Sequence, residues 1–138
     1  MKYILVCLLF SFSCYALCAQ HNSDEKKLIV KKVFSDALTD AALKGFNFQC
    51  SIMTIPAGYS DSVAHRHDAD LFVYISKGSV KIDLEGRGAE TYHAGQMFHE
   101  PRNILHKRLE NTDKQNDAEV LLLYVMKDGR KTYAEEKH

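Results

Sequence analysis

His65 and His67 stand two residues apart around Arg66, and His106 follows Pro101 further along the chain. On an extended strand, side chains two apart share a face, so the pair presents two imidazoles to one side and sends Arg66 to the other. Neutral imidazole is the commonest metal ligand among side chains. Three imidazoles converging on one ion would suit divalent Fe, Mn, Co, Ni, Cu or Zn and leave positions open for water or a substrate. An isolated His-x-His pair is more often a surface accident or a hydrogen-bonded couple than a ligand set. The elements that carry the three residues therefore decide the matter.

Those elements read as β. The chain has 138 residues, no Trp, seven Tyr and seven Phe, a content that suits one sheet-built domain. Strands are expected over 28–34, 46–55, 71–76, 79–84, 90–93, 105–111 and 118–126, with a turn and one helical turn within 35–45. Short strands divided by turns at such spacing predict a sandwich or barrel. Cys50 falls on the same side of its strand as Phe46, Phe48 and Ile52, which predicts a buried apolar thiol. Lys plus Arg and Asp plus Glu both total 18, so no basic footprint for nucleic acid exists. No Gly-rich phosphate loop, Ser-His-Asp arrangement or paired-cysteine site is visible, and nucleotide use and serine hydrolysis have no support.

The first 19 residues differ in kind: Lys2 gives a positive start, 4–10 is an apolar run, and 11–19 mixes small and weakly polar residues. This pattern predicts a secretory signal peptide over 1–19 and an exported, periplasmic or secreted protein. A membrane span needs about 18 or more uninterrupted apolar residues, and Ser11 and Ser13 interrupt this one early. Cleavage after Ala19 would remove Cys7, Cys14 and Cys18 and leave Cys50 with no partner for an internal disulfide.

The residues around the histidines resemble the two motifs of the cupin family. Gly58, His65, His67 and Gly78 fit the first, with one extra residue between Gly58 and His65; Gly95, Pro101 and His106 fit the second in register. Asn103 takes the place of that motif's second glycine and is the residue that best tolerates a left-handed turn after glycine, while Asn111 falls one position late. The resemblance implies an all-β, double-sheet jelly-roll barrel of the cupin type over 46–127, preceded by a 20–45 segment with an edge strand and followed by a polar, solvated tail over 128–138. It also implies that His65, His67 and His106 hold a metal in one mouth of the barrel.

The family's glutamate ligand is expected where this chain has Leu71, or Phe72 if the longer spacing applies. Asp70 would need a bulge to reach the metal, because one step along a strand reverses the side chain. Glu100, immediately before Pro101, stands where the family tends to point a residue inward. It is the candidate for a replacement metal ligand or for a general acid or base beside the metal; a Glu solvated at the barrel rim is the competing reading. His99 should then point outward, and His93 belongs to the surface. The function that follows is a metal-dependent enzyme acting on a small molecule, dioxygenase, isomerase or decarboxylase-like. The alternative is a cupin that binds a small ligand without turnover, and many small cupins pair as homodimers.

Overall fold

The computed structural model describes residues 26–136; the leader expected over 1–19 lies outside them. Within this range the chain forms β1 (Ile29–Ala37), β2 (Phe46–Ile55), β3 (Ser60–Asp61), β4 (His65–Arg66), β5 (Asp70–Lys77) and β6 (Ser79–Leu84). These are followed by β7 (Gly88–His93), β8 (Met97–Glu100), β9 (His106–Asn111), β10 (Ala118–Lys127) and β11 (Ala134–Glu135). A single 3-10 turn at Ala41–Leu43 starts at Asp40, whose carboxylate accepts from the Ala42 amide at 2.8 Å. No helix among the described residues is long and apolar enough to cross a membrane.

Two antiparallel sheets face each other, one ordered β1-β2-β10-β5-β8 and the other β11-β4-β9-β6-β7 with β3 also on β9. Two packed sheets are what the spacing of strands and turns predicts, and their jelly-roll order is what the resemblance to the cupin motifs implies. Alternation explains which face goes in. In β10, Ala118, Val120, Leu122, Tyr124 and Met126 are buried and their neighbours are not; in β5, Leu71, Val73 and Ile75 are buried in the same way. Residues of period two on one face meet their counterparts from the facing sheet, including Val80, Ile82 and Leu109.

Two turns show why particular residues stand where they do. Gly78, between β5 and β6, has φ +77° and a Cβ there would lie 3.1 Å from Ala118, so any other residue would be both strained in its backbone and tight against β10. Asn103 is the one non-glycine residue with positive φ among those described, at 62°, the conformation expected for it. Asn111 is fully buried and donates to the carbonyls of Ile55, Pro56 and Asn116 while accepting from the Asp113 amide. It clamps the loop before β10 and has no part in the histidine cluster.

One expectation needs correction and two features add to the others. Cys50 is half-buried, not buried; in β2 the inward set is Ser51, Met53 and Ile55, because the chain turns its more polar face to the cavity. Residues 97–100, outside the strand ranges expected above, form β8 because β5 offers them a full ladder from Leu71 to Tyr74. The stretch after β10 is largely exposed, yet it is not a free end. It folds back so that β11 pairs with β4, and Arg66 holds Glu136 at 3.0 Å.

Candidate metal centre

β4 and β9 lie side by side, with His65 directly opposite His106 in the ladder. Their rings approach to 4.5 Å between centroids, and His67, just past the end of β4, places its ring 5.0 Å from that of His65. One nitrogen from each of the three lies within 4.8 Å of the others. The three histidines singled out in the sequence therefore converge, His67 and His106 buried and His65 partly so.

The second nitrogen of each ring explains how the first is aimed. His65 Nδ1 donates to Val63 O at 2.9 Å, His67 Nδ1 donates to Thr132 O, and His106 Nε2 donates to Arg108 O at 2.8 Å. A carbonyl oxygen can only accept, so each of these nitrogens carries the proton. In the neutral ring the other nitrogen then bears a lone pair, which gives Nε2 of His65, Nε2 of His67 and Nδ1 of His106 as donors to an ion. Backbone carbonyls that fix the tautomer in this way are the usual support of metal-binding histidines.

Glu100 ends β8 directly opposite Leu71 of β5. It points inward and is 1% exposed, with Oε2 3.5 Å from His67 Nε2 and Oε1 3.4 Å from His106 Nδ1. The rim-solvated reading of Glu100 does not hold. His99 faces the other way, bonded to Asp70 at 3.0 Å and stacked on Phe72, which also removes Asp70 from the site; His93 is exposed. Glu100 Oε2 and His106 Nδ1 are buried without a hydrogen-bond partner. Orphaned polar atoms in such a place are unfavourable unless something binds them, and two of them beside the lone pairs of His65 and His67 fit a cation of the transition series.

Electrostatics agree with that donor set. Burial, helped by the neighbouring imidazoles, pushes the His65 ring down to about 4, and burial likewise lowers His67 against the pull of Glu100. Both stay neutral at physiological pH. Burial alone would raise the Glu100 carboxyl and lower His106, but their proximity outweighs it: Glu100 sits below the usual carboxylate range and His106 above the usual imidazole range. Without an ion, these two share charge.

Sequence reasoning missed three parts of this region. Tyr124, next to Leu71 in the ladder, is buried with its ring 5.9 Å from His67; the alternation Val120, Leu122, Tyr124 carried that signal. Thr132 supplies the carbonyl that orients His67, and Tyr133 lies 4.7 Å from the His65 ring. No pattern in the charged tail announces either. Together with Glu100 and the barrel interior these residues surround a cavity of about 480 Å³, within the ~300–1,000 Å³ typical of small-molecule sites.

Residues 51–124, more than half of the chain, match the family described as Cupin domain. No curated protein sequence matches the chain. Among solved structures, a conserved Streptococcus pyogenes protein of unknown function superposes with a TM-score of 0.56 at 16% identity, over 77% of this chain and 80% of that one. The cupin domain of Schizosaccharomyces pombe Cnp3 gives 0.59 at 13% identity, over 74% and 66%. A variant of oxalate decarboxylase from Bacillus subtilis gives 0.59 at 15% identity over 81% of this chain but 29% of its own length. At these identities the likeness concerns the fold.

Proposed function

The chain belongs to the cupin family, and from that premise we propose that it is a metal-dependent enzyme acting on a small molecule, with His65, His67, His106 and Glu100 holding a divalent Fe, Mn, Ni, Cu or Zn ion. A single observation carries this reading: three ring N–H groups each donate to a backbone carbonyl, so the three remaining nitrogens meet beside an orphaned buried carboxylate oxygen. When bound, such an ion supplies Lewis acidity or redox capacity and an open position for an oxygen ligand.

The chain's own residues do the rest. The carbonyls of Val63, Thr132 and Arg108 hold the imidazoles in one tautomer. Glu100 serves as fourth ligand or, when displaced by substrate, as the base that takes a proton. Its cross-strand position opposite Leu71 supports the ligand role, since one step across the ladder moves a carboxylate by only about 5 Å. The apolar barrel wall excludes water from that proton transfer.

The test is elemental analysis of protein purified without a metal-affinity tag, for the natural chain and for His106→Ala and Glu100→Gln. Near-stoichiometric transition metal that disappears in His106→Ala supports the centre; equal metal in the natural chain and His106→Ala would overturn it. Loss of turnover in Glu100→Gln with metal retained supports catalysis. Metal held by the natural chain with no turnover in it to lose would favour a cupin that only binds its ligand.

We also propose that the protein is exported, on the pattern of residues 1–19, and that it pairs with a second copy through the outer face of the five-stranded sheet. That face carries Phe48, Ile52, Phe72, Tyr74, Leu121 and Leu123, all half-buried, and continues into the exposed Val33 and Phe34 of edge strand β1. Because β10 runs down the middle of the sheet, a two-fold axis along it lays the face on itself, as a symmetric dimer requires.

A further inference from the structure

The wall of the cavity holds acids and no base beyond the histidines. Among its lining residues the charged side chains are Glu100 inside and Asp61 and Glu135 nearer the solvent; neither Lys nor Arg is present. The nearby arginines are engaged elsewhere: Arg66 with Glu136 and the Asn103 carbonyl, Arg108 with Glu110 and Ser60. Most of the remainder is apolar, chiefly Val73, Ile82, Leu122 and Phe98. Its uncharged polar groups are Thr132 and the hydroxyls of Tyr59, Tyr124 and Tyr133. Lining residues that are themselves exposed, Val30, Val63, Tyr133 and Glu135, mark the mouth.

From this distribution we propose that the substrate is a neutral, largely apolar molecule carrying an oxygen-bearing head, and not a carboxylate or other anion. The inference rests on the metal-centre reading for the head group alone; the body of the ligand is specified by the wall. An anion would pass Glu135 and Asp61 at the mouth, shed its water against aliphatic side chains and find no guanidinium or ammonium to pair with. The one positive charge available would be that of the ion, part of which Glu100 already offsets. A neutral head can still reach the ion's open position, while the hydrocarbon part gains from burial against the barrel wall.

The experiment compares two probes that share the tert-butylphenyl body and carry a neutral hydroxyl or an anionic carboxylate as head, 4-tert-butylphenol and 4-tert-butylbenzoate, titrated by calorimetry at pH 7 into metal-free and cobalt-loaded protein. The phenol is expected to bind at least about tenfold more tightly in both forms, because only the benzoate must bury an unpaired charge. Val73→Phe, which fills the cavity and leaves the four candidate ligands in place, should abolish phenol binding. Val73→Leu fills it less and should weaken phenol binding, which keeps the test alive if the phenylalanine variant fails to fold. Benzoate binding equal to or tighter than phenol binding would overturn the proposal, as would failure of both to bind, or phenol binding untouched in both Val73 variants. Failure to take up cobalt would instead overturn the metal centre, and the order of the two probes on metal-free protein would still decide the charge of the substrate.

Discussion

The two faces of the five-stranded sheet are almost equally apolar and have opposite fates. On the inner face, β5, β8 and β10 line a cavity with Val73, Phe98, Val120 and Leu122 and interrupt it with one buried carboxylate, Glu100, beside His67 and His106. On the outer face the same strands present Phe72, Tyr74, Leu121 and Leu123, half-buried, with no third layer among the described residues. A strand that is polar outside and apolar inside needs only one partner layer; one that is apolar on both sides needs two. The inner face shows a polar group placed inside at a cost in stability, whereas the outer face shows apolar groups left outside, and both departures from simple patterning are where function is expected.

The largest effect should come from moving the inner carboxylate. Glu100→Leu is expected to weaken transition-metal binding by at least ~100-fold. Adding Leu71→Glu restores the acid on the adjacent strand of the ladder, and the double variant should regain most of the loss, measured by competition with a chromophoric chelator. A double variant no better than Glu100→Leu would show that the two ladder partners are not equivalent and that the carboxylate is needed at β8. Next in size, Ile75→Ala should cost about 2–5 kcal/mol in chemical denaturation, since Ile75 is 0% exposed. Metal content should be untouched, which separates the packing part of the inner face from its chemical part.

How much of this was legible beforehand follows the same division. Alternation exposed most of the strands and put His65 and His67 on one face, because period two is a local property and a ligand pair at two-residue spacing needs no tertiary knowledge. Their meeting with His106 followed only from the resemblance to the two cupin motifs, and which face of β5 turns inward was left open by a run apolar on both sides. Glu100 was legible as a candidate, but the competing rim position could be rejected only once β8 was seen paired on β5. Cys50 was misplaced because the apolar residues of β2 point outward: hydrophobicity shows which face avoids water, not which of two layers covers it. Thr132 and Tyr133 left no trace in the sequence, since a carbonyl that orients a ring belongs to any residue type and its position depends on how β11 returns to β4.

The outer face gives a smaller and cleaner effect. Leu121→Lys is expected to weaken self-association by about 2 kcal/mol or more, the size of an interface hot spot, and to halve the mass in light scattering at micromolar concentration. Metal content and the far-ultraviolet dichroism should not change, because Leu121 faces away from Val120 and Leu122, which line the cavity. A natural protein already monomeric at that concentration would remove the symmetric pairing and leave the apolar outer face to some other partner.

The smallest expected effect is on acid stability, and its sign distinguishes the two faces again, since every strongly shifted group involved lies inside. In metal-free protein, burial holds His65 down at about 4 and lowers His67, whereas in the unfolded chain both return to about 6.5. As pH falls from about 6.5 towards 4 the unfolded chain takes up these protons first, so stability declines across that window and levels off below it. His106 acts in the opposite sense: its raised value favours the folded state below about 6.5, and that contribution fades as pH rises through the folded value. Glu100, held low, adds a further loss that begins as pH falls through the ordinary carboxyl value and continues towards its lower folded one. With both lowered histidines acting in this window and the contribution of His106 already in place below it, the melting temperature of the metal-free protein should drop by several degrees between pH 6.5 and 4, given about 4–8 °C per kcal/mol for a domain of ~100 residues. His65→Gln removes one of the two lowered groups and should flatten the curve. A curve equally steep in that variant would mean that the His65 ring is not held neutral by its surroundings, and the lone pair assigned to its Nε2 would lose its physical basis.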